Sequence, residues 1–312
     1  MARSVYTSTQ QVDDDLRTII EFAESALETA ETESDEPLDE LYLDEMRSLL
    51  GLCVPSFRPS LKRRRRSEAT CMQDVAGGWV FTSDEYPWPE GHAPYFQLDL
   101  DKLGLAAGIP VGTGILQAWG TSDWYPRLDK QNFIRVIPRR AFKAKVLAPL
   151  PENAEDLVEN WSGRESLPPW VFTLEGWSRA GIFPGGGNWL PEALHETGPR
   201  MVKSAAKRLR AFGVRQYSDG MRGQAKFIRA FGVPEPNNAV ASELTGEGWK
   251  LLVELTHDFG TQIVWNFGYG TTQLLYRRKA RRKTRGRSKP YWACSNLCEA
   301  EDFQYVLHAD RF

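Results

Sequence analysis

The chain has 312 residues, a net charge of −2, eleven Trp and four Cys. This length exceeds the usual single-core size, so two domains or one two-lobed domain are expected, with enough apolar and aromatic residues for a substantial core. No run of about eighteen apolar residues occurs, which excludes a transmembrane helix, and the scattered Cys53, Cys71, Cys294 and Cys298 do not make a disulfide framework.

From the amino terminus, "MARSVYTSTQQVDDD" lacks the apolar core of a secretory signal, so a reducing, cytoplasmic protein is the expectation. Val12, Leu16, Ile19, Ile20, Ala23 and Leu27 recur at helical spacing, with Asp13, Asp14 and Asp15 placed in the first turn, where the helix dipole favours anions. An acidic linker follows, then a second helix over "LDELYLDEMRSLLGL" ending near Gly51. Two prolines and a run of cations make "CVPSFRPSLKRRRRSEAT" a loop or linker by composition. Residues 1–46 hold fourteen Asp and Glu against two Arg, so the remainder of the chain carries about +10. Residues 1–70 therefore read as an acidic helical segment with a basic linker.

From residue 71 the composition changes. "GGWVFTS", "YFQLDL", "GILQAWG", "NFIRVIP" and "AFKAKVLAP" read as strands, being rich in β-branched and aromatic residues between Gly and Pro. "LPENAEDLVENW" is a helix or connector, "GIFPGGGNWLPEALHETGP" a loop, and "RMVKSAAKRLRAFG" a helix ended by Gly213. Strand signals return in "GWKLLVELT", "TQIVWNFG", "TTQLLYR" and "FQYVLHA". The expectation is a β-rich α+β fold with predominantly antiparallel sheet and N-terminal helices.

Two segments share a layout. "APYFQLDL…GTGILQAW" and "GWKLLVELT…GYGTTQLLY" each place an acidic turn after a strand, then a Gly-rich turn into a second strand. This reads as two pseudo-symmetric repeats in residues 71–312, with halves at about 71–150 and 225–312 and a connecting region at 151–224. The motifs in these halves resemble the YwqG-like bacterial family, a domain of unknown function. They are Gly77-Gly78, Trp88-Pro89, Gln97 with Asp99, Gly114 with Leu116, Gly232 with Pro234, Trp249 with Leu251 and Leu252, Trp265 with Gly268 and Gly270, and Asp302-Phe303. Glu254 stands where that family commonly has Gln, and Asn266 where it has Asp. The resemblance implies a two-repeat α+β fold. It implies no firm activity, only a loose association of some members with toxin–immunity gene sets.

Catalytic constellations are incomplete. Cys294, Cys298 and His308 lack the fourth ligand of a compact zinc site, and His257-Asp258 reads as a turn. "GWSRAG" (176–181) approaches a nucleophile elbow around Ser178 but lacks its second Gly and a following helix. "FPGGGNW" lacks the Lys-Ser/Thr of a phosphate loop. No catalytic residue, metal or cofactor is assigned. Trp88, between two prolines, reads first as a rigid corner covering a sheet end.

Three functional readings stay open. The first is a binding protein with a protein partner, immunity to a toxin being its most concrete form; its candidate cleft is Trp88, Gln97, Asp99, Glu254, Trp265 and Asn266. The second is nucleic-acid or acidic-partner binding by the basic loop 277–289, through Arg277, Arg278, Lys279, Arg281, Arg282, Lys283, Arg285, Arg287 and Lys289, flanked by Tyr276, Tyr291 and Trp292. The third is an enzyme with a polar cleft between the repeats.

Overall fold

Val12, Leu16, Ile19 and Ala23 fall on one face of α1 (Thr9–Thr32) and are all buried. The computed structural model describes residues 9–32, 42–43, 46–47, 49–50, 53–65, 74–76, 80–90, 92–121, 133–141, 170–181, 198–221, 228–232, 248–257, 270–279, 297–300 and 302–309. The chain divides into two units, residues 1–58 with 179–242, and residues 59–178 with 243–312.

In the first unit, α1 packs its apolar stripe on Val202, Ala205, Ala206 and Leu209 of the helix Arg200–Met221, with Met46, Leu49 and Cys53 in the same core. Because α1 begins at Thr9, the three Asp residues do not lie in its first turn as expected. Two of them form ion pairs instead. Asp15 accepts from Arg208 Nε at 2.8 Å, and Asp13 pairs with Arg179. The helix read from "RMVKSAAKRLRAFG" also differs from expectation, running through Gly213 to Met221. One interior Gly costs only about 1 kcal/mol relative to Ala, too little to stop a helix that no proline interrupts.

The second unit is mostly antiparallel sheet, and the fold is a β-rich α+β architecture. Its first run of adjacent strands is β6 (Trp170–Gly181), β2 (Val75–Ala76), β3 (His92–Asp99), β4 (Ile115–Thr121) and β5 (Phe133–Ile137). The second is β10 (Leu297–Ala300), β11 (Phe303–Ala309), β9 (Gly270–Arg278) and β8 (Lys250–His257). β5 lies beside β10 and β11. The runs are also tied where the Tyr305 hydroxyl donates to the Val111 carbonyl at 2.6 Å.

β1 (Ser56–Arg65) corrects the expected basic linker. A cationic run forms a strand because its charge is met from far along the chain. Lys62 and Arg64 converge on the carboxylate of Glu175 in β6, with Arg64 Nε at 3.0 Å. Phe57 at the start of β1 pairs with Ala230 of β7 (Ile228–Ala230) within the first unit.

The strands read from "YFQLDL", "GILQAWG", "NFIRVIP", "GWKLLVELT", "TTQLLYR" and "FQYVLHA" are present as β3, β4, β5, β8, β9 and β11. "GGWVFTS" is not a strand over its described residues 80–83, and Ser178 sits within β6, leaving no strand-to-helix elbow. The acidic turn after β3 is α2 (Leu100–Ala107), with Asp99 as its N-cap and Gly108, at φ 68°, as its C-cap. Residues 142–169, 182–197, 258–269 and 280–296 lie outside the described residues, and with them the expected elements at 142–149, 150–161, 182–197 and 261–268. No helix among the described residues is long and apolar enough to cross a membrane.

Candidate functional site

Strand alternation puts Gln97, Gln117 and Arg135 in one row across β3, β4 and β5, since Gln97 pairs with Gln117 and Gln117 with Arg135. The side chains link in series. Gln117 Nε2 donates to Gln97 Oε1 at 2.8 Å, and Arg135 Nε donates to Gln117 Oε1 at 2.7 Å. Residues 80–90 are bonded to this row. The Phe81 amide donates to Gln97 Oε1 at 2.9 Å, and the Phe81 carbonyl accepts from Gln117 Nε2 at 2.8 Å. Arg135 reaches further, donating from Nη1 to the Pro87 carbonyl at 2.7 Å and from Nη2 to that of Tyr86 at 3.2 Å. Buried backbone polar groups need partners, and the row supplies them where strand pairing does not.

Trp88 stands in this setting. Its indole N–H donates to the His92 carbonyl at 2.7 Å, and its ring meets Trp119 edge-on at 5.1 Å between centroids. Arg135 stacks by Trp119 and Tyr86, with its Cζ 5.3 and 5.8 Å from the two ring centroids. Burial draws the Arg135 pKa from 12.5 down to about 10.

Asp99 has a different environment. Its Oδ1 accepts the Lys102 amide at 3.1 Å, capping α2, and its carboxylate pairs with Arg139. The Asp99 amide donates to Asp74 Oδ1 at 2.7 Å. Asp74 is buried, and that burial pushes its pKa up to about 7. Asp101 ties the other side, accepting from the Gly114 amide at 3.0 Å and Arg139 Nε at 3.2 Å.

In the second run Glu254 pairs in register with Gln273, whose Nε2 donates to the carboxylate at 2.9 Å. Both are buried, and Gln273 Oε1 has no hydrogen-bond partner among the described residues. Thus Gln97, Asp99 and Glu254 are each engaged within their own strand run. Trp265 and Asn266 lie outside the described residues.

Of the basic loop, Arg277, Arg278 and Lys279 are described. Arg277 Nε donates to Gln304 at 2.9 Å, with the guanidinium 4.3 Å from the Trp249 ring centroid. Arg278 is exposed, and the Lys279 amide donates to the Asp302 carbonyl at 2.7 Å. Arg281, Arg282, Lys283, Arg285, Arg287 and Lys289 are outside the described residues. Sequence reasoning missed Gln117, Arg135, Arg139, Asp74 and Glu175. The available signal for Arg135 was a lone cation inside the apolar strand "NFIRVI".

Among the described residues, no group of three or more His, Cys, Asp or Glu is placed to hold a metal ion. Comparison with protein-family models gives no match, and neither does comparison with curated proteins.

Proposed function

We propose that this chain is a non-enzymatic binding protein of YwqG-like type, built on two related strand repeats, that recognises a protein partner. Immunity to a toxin is its most concrete form. The observation that carries the reading is the fate of the polar strand residues. Gln97, Asp99 and Glu254 are buried and committed to hydrogen bonds or ion pairs that hold the sheet, so they do not equip a reactive cleft.

The kinship of the β3–β4 and β8–β9 pairs is supported by register. In β3–β4 the pairing is irregular between Pro94 and Phe96, just before Gln97; in β8–β9 it is irregular between Leu251 and Val253, just before Glu254. In both strand pairs that polar residue lies opposite a Gln whose Nε2 donates to it. A slip of one residue would turn either pair to the opposite face, so matching bulge and matching pair point to a common plan.

The test is affinity purification from the native host, split into nuclease-treated and untreated halves and followed by mass spectrometry. A stoichiometric protein surviving nuclease is the expected result, and its co-expression tests for neutralised toxicity. Nucleic acid as the sole companion, lost on nuclease or salt treatment, would overturn the reading in favour of the basic segment 277–289.

A further inference from the structure

Arg135 is a half-buried charge without a counter-charge among the described residues. Arg has five N–H donors. Three are spent on Gln117, Pro87 and Tyr86, all neutral acceptors, and two remain. Among the described residues no carboxylate pairs with it. Glu85, on the same loop, acts on the Tyr86 phenol, whose pKa is raised by burial and by this neighbouring carboxylate. Desolvating a guanidinium without an anion is unfavourable, and the carbonyl dipoles offset only part of that cost. A second donor in the cluster also lacks a partner. Trp119 is 0% exposed and its indole N–H has no acceptor among the described residues.

The surroundings are those of a recognition anchor. Tyr86 and Trp119 lie against the guanidinium, and half-buried Trp88 and Phe133 pack on the cluster that holds Trp119, Trp88 being set in the rigid Pro87-Trp88-Pro89 corner. Tyr, Trp and Arg are the residues on which interface energy concentrates. The exposed acids Asp84, Glu85 and Glu90 lie along the same loop and repel an extended polyanion. A single carboxylate beside an apolar residue fits both the free N–H pair and the aromatic frame.

We propose that Arg135, framed by Tyr86, Trp88 and Trp119, is the anchor for one Asp or Glu side chain of the protein partner, carried next to an aromatic residue. This rests on the recognition reading above. The carboxylate completes the guanidinium fork, and the neighbouring aromatic residue packs against Trp88. Arg is suited to the task because its planar fork binds carboxylate bidentately, which Lys does not.

The experiment titrates the full ¹⁵N-labelled chain with acetyl-Phe-Glu-Lys amide, the same peptide with Gln for Glu, and a short oligothymidylate. It follows the Arg135 Nε–H and Trp119 indole N–H signals. The Glu peptide is expected to shift both signals and to bind at least about tenfold more tightly than the Gln peptide. Arg135→Lys, checked for folding by circular dichroism, is expected to lose about tenfold for the Glu peptide. Should that variant fail to fold, the Glu-against-Gln comparison on wild type decides alone. Equal affinity for the two peptides, no shift with either, or a stronger response to oligothymidylate would overturn the inference. Capture of a nuclease-resistant partner equally by wild type and a folded Arg135→Lys would overturn it while leaving the recognition reading intact. If wild type captures no such partner, that reading itself fails.

Discussion

Replacing Asp74 by Asn should stabilise the protein, and only above acidic pH. Asp74 is buried beside β3, where Oδ1 accepts the Asp99 amide. Burial raises its pKa from 3.8 to about 7, opposed by the Asp99 amide and by Lys102 and Arg139, and assisted by the Asp99 carboxylate. Below pH 3.8 the folded and unfolded chains both hold the proton. Between 3.8 and about 7 the folded chain holds it and the unfolded chain has released it, so stability falls as pH rises. Above about 7 both are ionised and the loss is complete. A displacement of this size corresponds to roughly 4 kcal/mol, at about 1.4 kcal/mol per tenfold change in proton affinity. Asn keeps the acceptor for the Asp99 amide and removes the ionisation. Asp74→Asn should therefore match wild type near pH 4 and exceed it by up to roughly 4 kcal/mol at pH 8. The assay is urea unfolding by tryptophan emission at several pH values, comparing midpoints at unchanged slope. A difference between the two proteins that does not grow with pH, or a variant less stable than wild type at pH 8, would refute the reasoning.

Other expectations concern packing and charge. Asp99→Ala removes the N-cap of α2 and the partner of Arg139, and should cost about 2 kcal/mol in chemical unfolding. Gly112 has φ 102° and a Cβ there would run into the Tyr305 hydroxyl, so Gly112→Ala should cost about 3 kcal/mol, from strain and overlap. Adding Tyr305→Phe should make the pair cost less than the sum of the two single changes, and strict additivity would show that the overlap is relieved elsewhere. Glu175 is held down to about pKa 2 by hydrogen bonds from Lys62 and Arg64. Its contribution is present above its ordinary 4.5 and is lost as pH falls toward about 2, so Glu175→Gln should flatten that part of the acid unfolding curve.

Local pattern in the sequence was sufficient where a residue's neighbours decide its state. The 3.6-residue repeat of Val12, Leu16, Ile19 and Ala23 defines the buried face of α1. β-Branched and aromatic residues between Gly and Pro in "YFQLDL", "GILQAWG" and "TTQLLYR" mark the strands β3, β4 and β9, which are buried on both faces over residues 94–99, 115–120 and 272–276. The same local rules failed at β1, where charge density and proline argue for a linker. Gly213 likewise carries a stop signal that the helix overrides.

The candidate site was legible only in part. Trp88 and Gln97 stood out in the sequence, and both belong to the row and loop around Arg135. Arg135 itself did not, because its meaning depends on acceptors at Tyr86 and Pro87, 49 and 48 positions away.

The sequence by itself determined which segments are amphipathic, and hence most helices and strands, because periodicity is a property of adjacent residues. Tertiary structure alone decided which charges are answered. Lys62 and Arg64 meet Glu175 across 111 positions in the latter pair, and Asp74 meets the Asp99 amide across 25. No local pattern encodes such a meeting, since Coulomb and hydrogen-bond energies depend on separation in space and on the water excluded by folding.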